Sequence, residues 1–222
     1  MSFPDGSQTA NLVKIRGPMK LMVVDDHPAF RMGITALIER QPDMALAGET
    51  GDGLEVVALY RRARPDVVLL DLRLPGLTGV EAIIALCQEF PDCRVIVLTT
   101  FSGDEDIYRA CQSGARSYIL KDTPKEEILA TIRAVHAGEQ PLPSNVAQQL
   151  AKRRKREELS QRELDVLQSL VKGRSNKEIA AALFISEATV KSHLQNLFAK
   201  LSVQDRVGAA VAAIRQGIVH LE

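Results

Sequence analysis

The sequence predicts an α/β domain, a doubly wound five-stranded parallel sheet, followed by a smaller all-α domain. Three observations lead there. From Lys20 to Gly138 short apolar runs alternate with longer amphipathic stretches, the pattern of βα units whose sheet is covered on both faces. From Leu159 onward apolar residues recur only at helical spacing, and Ser-x-x-Glu pairs mark helix starts. The charge also changes sign: residues 1–151 hold 15 Lys/Arg against 20 Asp/Glu, a net of −5, whereas residues 152–222 hold 13 against 8, a net of +5.

A length of 222 residues suits two modest domains. With 45% apolar and 25% charged residues, the chain has enough apolar surface to offset chain entropy, which excludes disorder throughout. No apolar run approaches the ~18–20 residues of a membrane span, and the N-terminal segment lacks a signal-peptide core. A soluble cytoplasmic protein without a membrane partner is expected. Cys87, Cys93 and Cys111 match neither a zinc motif nor a redox spacing and read as structural thiols.

Taken in order, Met1–Pro18 is polar and reads as a terminal tail. The first domain spans 19–138. Its strands are expected at Leu21–Val24, Met44–Ala47, Val67–Leu70, Val95–Leu98 and Tyr118–Leu120. Its helices are expected at Phe30–Glu39, Leu54–Arg62, Val80–Glu89, Asp106–Ser113 and Glu126–Ala137. Residues 139–156 read as a linker with a partial helix, because Pro141, Pro143, Ser144 and Asn145 interrupt the pattern before the basic run Lys152–Arg156. The second domain spans 157–222.

In open α/β sheets, ligands gather at the carboxyl ends of strands near the topological switch point. Here those ends carry Asp25, Asp26, Asp71, Thr99 and Lys121. Each residue alone has an ordinary use, as a helix cap or a solvated lysine. Together, three carboxylates, a hydroxyl and an ammonium at the ends of four strands point to a site. Like charges so close repel, and a hard divalent cation such as Mg²⁺ relieves that repulsion. The fitting chemistry is phosphoryl transfer, with a carboxylate nucleophile, a metal neutralising phosphoryl charge and a lysine steadying an oxygen.

Val23-Val24-Asp25-Asp26, Leu70-Asp71-Leu72-Arg73-Leu74-Pro75-Gly76, Leu98-Thr99 and Leu120-Lys121 resemble the receiver domain of two-component response regulators. The resemblance implies a flavodoxin-like fold of strand order 2-1-3-4-5. It implies that Asp71 accepts a phosphoryl group from a sensor histidine kinase. Asp25, Asp26, Asp71 and the backbone carbonyl of Arg73 would then surround Mg²⁺, with Lys121 on the acyl phosphate and Thr99 turning its hydroxyl toward it. Tyr118 stands at the aromatic switch position. Thr100 departs from the family, where a smaller residue is commoner, and with Phe101 it is expected to narrow the approach. A dinucleotide-like fingerprint beginning at Gly51-Asp52-Gly53 fails at Val56, and no Walker sequence occurs.

In the second domain Ser160 and Glu163, and again Ser175 and Glu178, form capping boxes, while Ser186 caps a third helix with Glu187 near its positive end. On that third helix Val190, Leu194, Leu197 and Leu201 share one face, and Lys191, Ser192, Gln195 and Ala199 share the other. Small or hydrogen-bonding side chains suit a helix that must approach base edges in the major groove. The preceding Glu178–Leu183 helix and the Phe184-Ile185-Ser186 turn complete a helix-turn-helix.

Leu159-Ser160-x-Arg162-Glu163, Ser175-Asn176-Lys177-Glu178-Ile179-Ala180 and Ile185-Ser186-x-x-Thr189-Val190-Lys191-x-His193 resemble the LuxR/GerE-type DNA-binding domain. With the receiver, the resemblance covers about Lys20–Val219 and is to NarL/FixJ-type response regulators. It implies base reading by Lys191, Ser192 and Gln195, and phosphate contact by Lys177, Thr189, His193 and Lys200. His193 lies on the flank, where packing is an equal alternative, and Ala199 stands where longer or basic residues are common. Small apolar residues in Arg206–Gly217 cover the core and offer a helix–helix dimer contact. The implied partners are the kinase, double-stranded DNA, a second copy upon phosphorylation or on DNA, and RNA polymerase.

The competing reading is an enzyme that turns over an aspartyl phosphate. Haloacid-dehalogenase-type phosphatases need a second acid two residues after the nucleophile, and Arg73 stands there instead. The expectation is therefore a switch and not an enzyme. Its oppositely charged domains should attract each other when unphosphorylated, covering part of the basic surface.

Overall fold

The computed structural model describes residues 17–100 and 103–220; Phe101 and most of the N-terminal tail lie outside them. The strands are β1 (Met19–Val24), β2 (Met44–Thr50), β3 (Val67–Leu70), β4 (Val95–Thr99) and β5 (Ser117–Leu120). All neighbours pair in parallel, in the order β2-β1-β3-β4-β5. The helices of the first domain are α1 (Pro28–Glu39), α2 (Val56–Ala63), α3 (Gly79–Glu89), α4 (Asp104–Gln112) and α5 (Lys125–His136).

Strand alternation divides the core by face. Leu21, Val23, Leu69, Ile96 and Ile119 pack with Ile34 and Ile38 of α1 and Ile128 and Ile132 of α5. Met22, Val24, Val68, Leu70, Val97 and Tyr118 pack with Ile83 and Leu86 of α3 and Ile107 of α4. β1, α1, α2 and α4 each start two residues from the expected position, and for the last two the local cause is plain. Asp52 accepts from the Leu54 N–H and caps a short 3₁₀ turn, Gly53–Glu55, so α2 begins after it. Helix α4 begins at Asp104, so three acidic residues fill its first turn, where the helix dipole favours them. Cys87 and Cys93 are free thiols 3.4 Å apart, and burial pushes the Cys93 thiol up to about 12, helped by its contact with Cys87.

The linker is more ordered than its composition suggests. It contains helix α6 (Ser144–Arg154), whose Val146 and Leu150 join the α3–α4 face of the core. The Ser117 hydroxyl donates to the Pro141 carbonyl at 2.6 Å, tying the chain down before that helix. The second domain consists of α7 (Gln161–Val171), α8 (Asn176–Leu183), α9 (Glu187–Leu201) and α10 (Arg206–Arg215), packed around Val166, Ile179, Val190, Leu197 and Ala213. Both expected capping boxes form, and Ser186 accepts from the Thr189 N–H.

The domains meet at the first turn of α4. Arg156 donates to Asp104 and Arg153 to Glu105, while His220 Nε2 lies 2.9 Å from Asp106 Oδ1. The Glu105 N–H donates to the Gln216 carbonyl at 3.0 Å, and Arg153 stacks on Tyr108 at 4.4 Å from the ring centroid. Gly103 permits this approach, since a Cβ there would lie 2.7 Å from the Gln216 carbonyl carbon. Contact between the domains, covering part of the basic surface, was expected from their charges. It takes up Arg153 and Arg156 and leaves Lys177 and Lys191 exposed.

Candidate functional site

The sheet ladder runs one residue past each strand and so fixes the acidic positions. The Asp25 N–H donates to the Thr50 carbonyl at 3.0 Å, the Asp71 N–H to the Val24 carbonyl at 2.9 Å and the Lys121 N–H to the Thr99 carbonyl at 2.9 Å. Side chains from three strand ends thereby converge beside the β1–β3 switch point. Carboxylate oxygens of Asp25, Asp26 and Asp71, with a His27 ring nitrogen, all lie within 4.8 Å of one another.

Asp25 and Asp71 are only 2% and 3% exposed, so their charges need compensation. Lys121 Nζ supplies it, at 2.7 Å from both Asp25 Oδ2 and Asp71 Oδ2. Burial pulls the Lys121 pKa down, but the hydrogen bonds and charges of the two carboxylates outweigh it and hold the ammonium above its ordinary value. Asp26 is partly exposed and pairs with His27 Nδ1 at 2.7 Å. The Arg73 N–H donates to Asp71 Oδ1 at 3.3 Å, and Thr99 is fully buried at the end of β4. Tyr118 is fully buried too, and burial, with the charges of Asp106 and Asp71 nearby, pushes its phenol up.

The three carboxylates supply hard oxygen donors, open to solvent through Asp26. That fits Mg²⁺, which needs few carboxylates and keeps several waters. Two contributors were missed in the sequence. The His27 ring pairs with Asp26, and the Arg31 guanidinium donates to the Asp25 carbonyl. Neither sits at a strand end, but both fall within the first turns after Asp25, where side chains can reach back to it.

On the second domain, Val190, Leu194, Leu197 and Leu201 are buried, while Thr189, Lys191, Ser192 and Gln195 are exposed on α9 and Lys177 on α8. His193 is half-buried. Lys200 requires a correction. Its Nζ lies 2.8 Å from Glu163 Oε2 and donates to the Glu158 carbonyl at 2.9 Å, which turns it toward α7 and away from an open phosphate-contact position. Burial raises the Glu163 pKa, but hydrogen bonds from Lys200 and Ser160 overcome that and hold it below the usual carboxylate range. Val207, Val211 and Ile214 expose apolar surface on α10.

Residues 21–133 match the response regulator receiver domain family, and residues 157–213 match the LuxR family of bacterial regulatory proteins. The chain is 41% identical over 210 residues to the transcriptional regulatory protein LiaR of Bacillus subtilis, covering 91% of this chain and all of LiaR. It is 36% identical over 207 residues to the response regulator VraR of Staphylococcus aureus, covering 91% and 99%. Among solved structures it resembles the response regulator ChrA of a heme-sensing two-component system, with 36% identity, a TM-score of 0.56 and coverage of 92% and 100%. It also resembles RcsB in complex with DNA, with 25% identity, a TM-score of 0.68 and coverage of 90% and 99%. Among the described residues no helix is long and apolar enough to cross a membrane. The chain belongs to the response regulators that regulate transcription through a receiver domain joined to a LuxR-family DNA-binding domain.

Proposed function

We propose that this protein is a cytoplasmic DNA-binding switch set by phosphoryl transfer from a sensor histidine kinase to Asp71. The observation that carries the reading is the Asp25–Asp26–Asp71 cluster with Lys121 bridging its two buried members. An Asp71 carboxylate oxygen attacks phosphorus. The bond from phosphorus to the donor breaks, its electron pair leaves with the donor, and an acyl phosphate results. Asp25, Asp26, Asp71 and the Arg73 carbonyl would hold Mg²⁺, which when bound neutralises phosphoryl charge. Lys121 is already against Asp71 and steadies a phosphoryl oxygen, and Thr99 stands at the neighbouring strand end to accept the switch role.

The coupling ends at the three acids in the first turn of α4. Asp104 Oδ1, Asp106 Oδ2, Arg156 Nη1 and Gln216 Oε1 are buried there without hydrogen-bond partners among the described residues. A half-satisfied charged contact is costly to hold and therefore easily released. Releasing it frees the second domain to pair with that of another copy on adjacent DNA half-sites, an effective-concentration gain that needs no new base contact. Lys191, Ser192 and Gln195 are the base-reading side chains, and Lys177, Thr189 and His193 the phosphate contacts. RNA polymerase is then the partner recruited or blocked.

Incubation with acetyl phosphate and Mg²⁺ followed by intact mass tests the reading. The parent chain should gain one phosphoryl group and Asp71→Asn none. Equal labelling of the two would overturn the acceptor assignment.

A further inference from the structure

Lys121 carries three N–H donors, and the two carboxylates take two of them. On a third side the ammonium faces the ring of Phe30, with Nζ 4.6 Å from the ring centroid. A cation over an aromatic face is held by the ring quadrupole, and the hold strengthens when water is excluded. Little water reaches it here, since the Lys121 side chain is only 8% exposed. The ammonium is thus enclosed by two carboxylates and one ring.

The ring is also well anchored. Phe30 lies near the start of α1, and the next residue grips the acidic loop: the Arg31 N–H donates to the His27 carbonyl at 3.0 Å and its guanidinium to the Asp25 carbonyl. The element that presents Phe30 is therefore tied to the same turn that carries Asp25 and Asp26.

We propose that Phe30 is a positioning residue for the phosphoryl chemistry at Asp71, acting by fixing where the Lys121 ammonium sits. The proposal rests on the reading of Asp71 as acceptor. When a phosphoryl group arrives, Lys121 must exchange a carboxylate oxygen for a phosphoryl oxygen, and the ring bounds the arc through which it moves. A side chain of similar bulk without a π face fills the space and packs on the same core, but leaves the ammonium free to wander.

The test compares Phe30→Leu, Phe30→Met, Phe30→Tyr and Phe30→Trp in the full chain. With acetyl phosphate and Mg²⁺, the Leu and Met variants should label about ten- to thirtyfold more slowly than the parent, the upper figure being the full strength of a shielded cation–π contact. The Tyr and Trp variants, which keep the aromatic face, should label within about twofold of the parent. Mg²⁺ affinity by calorimetry should be the same in all five chains, a readout that a general loosening of the loop would shift. Parent-like labelling in both Leu and Met, or a loss in Tyr and Trp as deep as theirs, overturns the proposal. A parent chain that takes no phosphoryl group, or an Asp71→Asn variant that labels as the parent does, overturns the acceptor reading instead, so the two failures are distinguishable.

Discussion

His220 Nε2 lies 2.9 Å from the Asp106 carboxylate, which joins the end of the DNA-binding domain to the first turn of a receiver helix 114 residues earlier. Arg153 and Arg156 bind the two preceding acids of that turn. One helix start thus receives both the linker and the chain's last described residue.

Removing one member of this seam should release the domains. Asp106 is nearly buried and holds His220 of the second domain, so deleting its carboxylate removes a contact that spans the two domains. Asp106→Ala should therefore enlarge the radius of gyration in small-angle scattering and speed proteolysis within residues 139–158. Parent-like scattering and cleavage would mean that other contacts hold the domains together.

The exposed recognition helix adds a second expectation. Because Lys191, Ser192 and Gln195 stay exposed in the docked chain, Asp106→Ala should bind a single half-site within about twofold of the parent. Only paired half-sites should show a gain. A large gain on one half-site would mean that docking hides the DNA-binding face.

Individual DNA contacts should separate by kind. Lys191→Ala and Gln195→Ala should each cost about 1–3 kcal/mol on the preferred sequence and relax preference at the position they read. Lys177→Ala should weaken all sequences alike and make the salt slope shallower by roughly one unit. Titrations at several salt concentrations on matched and scrambled sites distinguish the two.

Lys200 should behave as a stability residue. Lys200→Met removes hydrogen bonds to a buried carboxylate and a carbonyl, costing about 1.5–3 kcal/mol in denaturant unfolding, with the salt slope of DNA binding unaltered. The pH dependence follows from Glu163, whose folded pKa is depressed. Its contribution to stability is fully present above the ordinary glutamate pKa of about 4.3 and fades as pH falls through the lower folded value. The Lys200→Met variant should lose part of that acid dependence.

Removing a ligand should weaken the metal site before anything else. Asp26→Ala deletes a partly exposed hard anion, so Mg²⁺ affinity should drop while unfolding stability stays close to the parent. Unchanged calorimetric titration would remove Asp26 from the ligand set.

What the sequence made legible follows from where each signal lies. The sheet and its acidic edge could be read because strand periodicity is local and the chemistry sits at strand ends, where Asp25, Asp71, Thr99 and Lys121 fall without further knowledge. The recognition face was readable for the same reason, since Val190, Leu194, Leu197 and Leu201 define the buried line of α9. Lys200 was misjudged although the same geometry contained the answer. Ten residues after Val190 it turns to about 80° from that line, beside the core and not opposite it. Phe30 and the α4 acids were invisible because their partners, Lys121, Arg153 and Arg156, lie far along the chain. Helix α6 was hard to read as a docked element because its core contributors among the described residues are Val146 and Leu150, one turn apart in a polar stretch.

That pair also decides how the protein divides. Val146 and Leu150 complete the hydrophobic cluster beneath α4, so a fragment ending at Gly138 would leave that face bare to water, and one ending after Arg154 would not. The portable signalling module therefore carries its own connecting helix. Any exchange of output domains, by recombination or by design, has its natural joint after that helix, where Glu105 keeps Arg153 of α6 but Asp104 and Asp106 must find new partners or stand open.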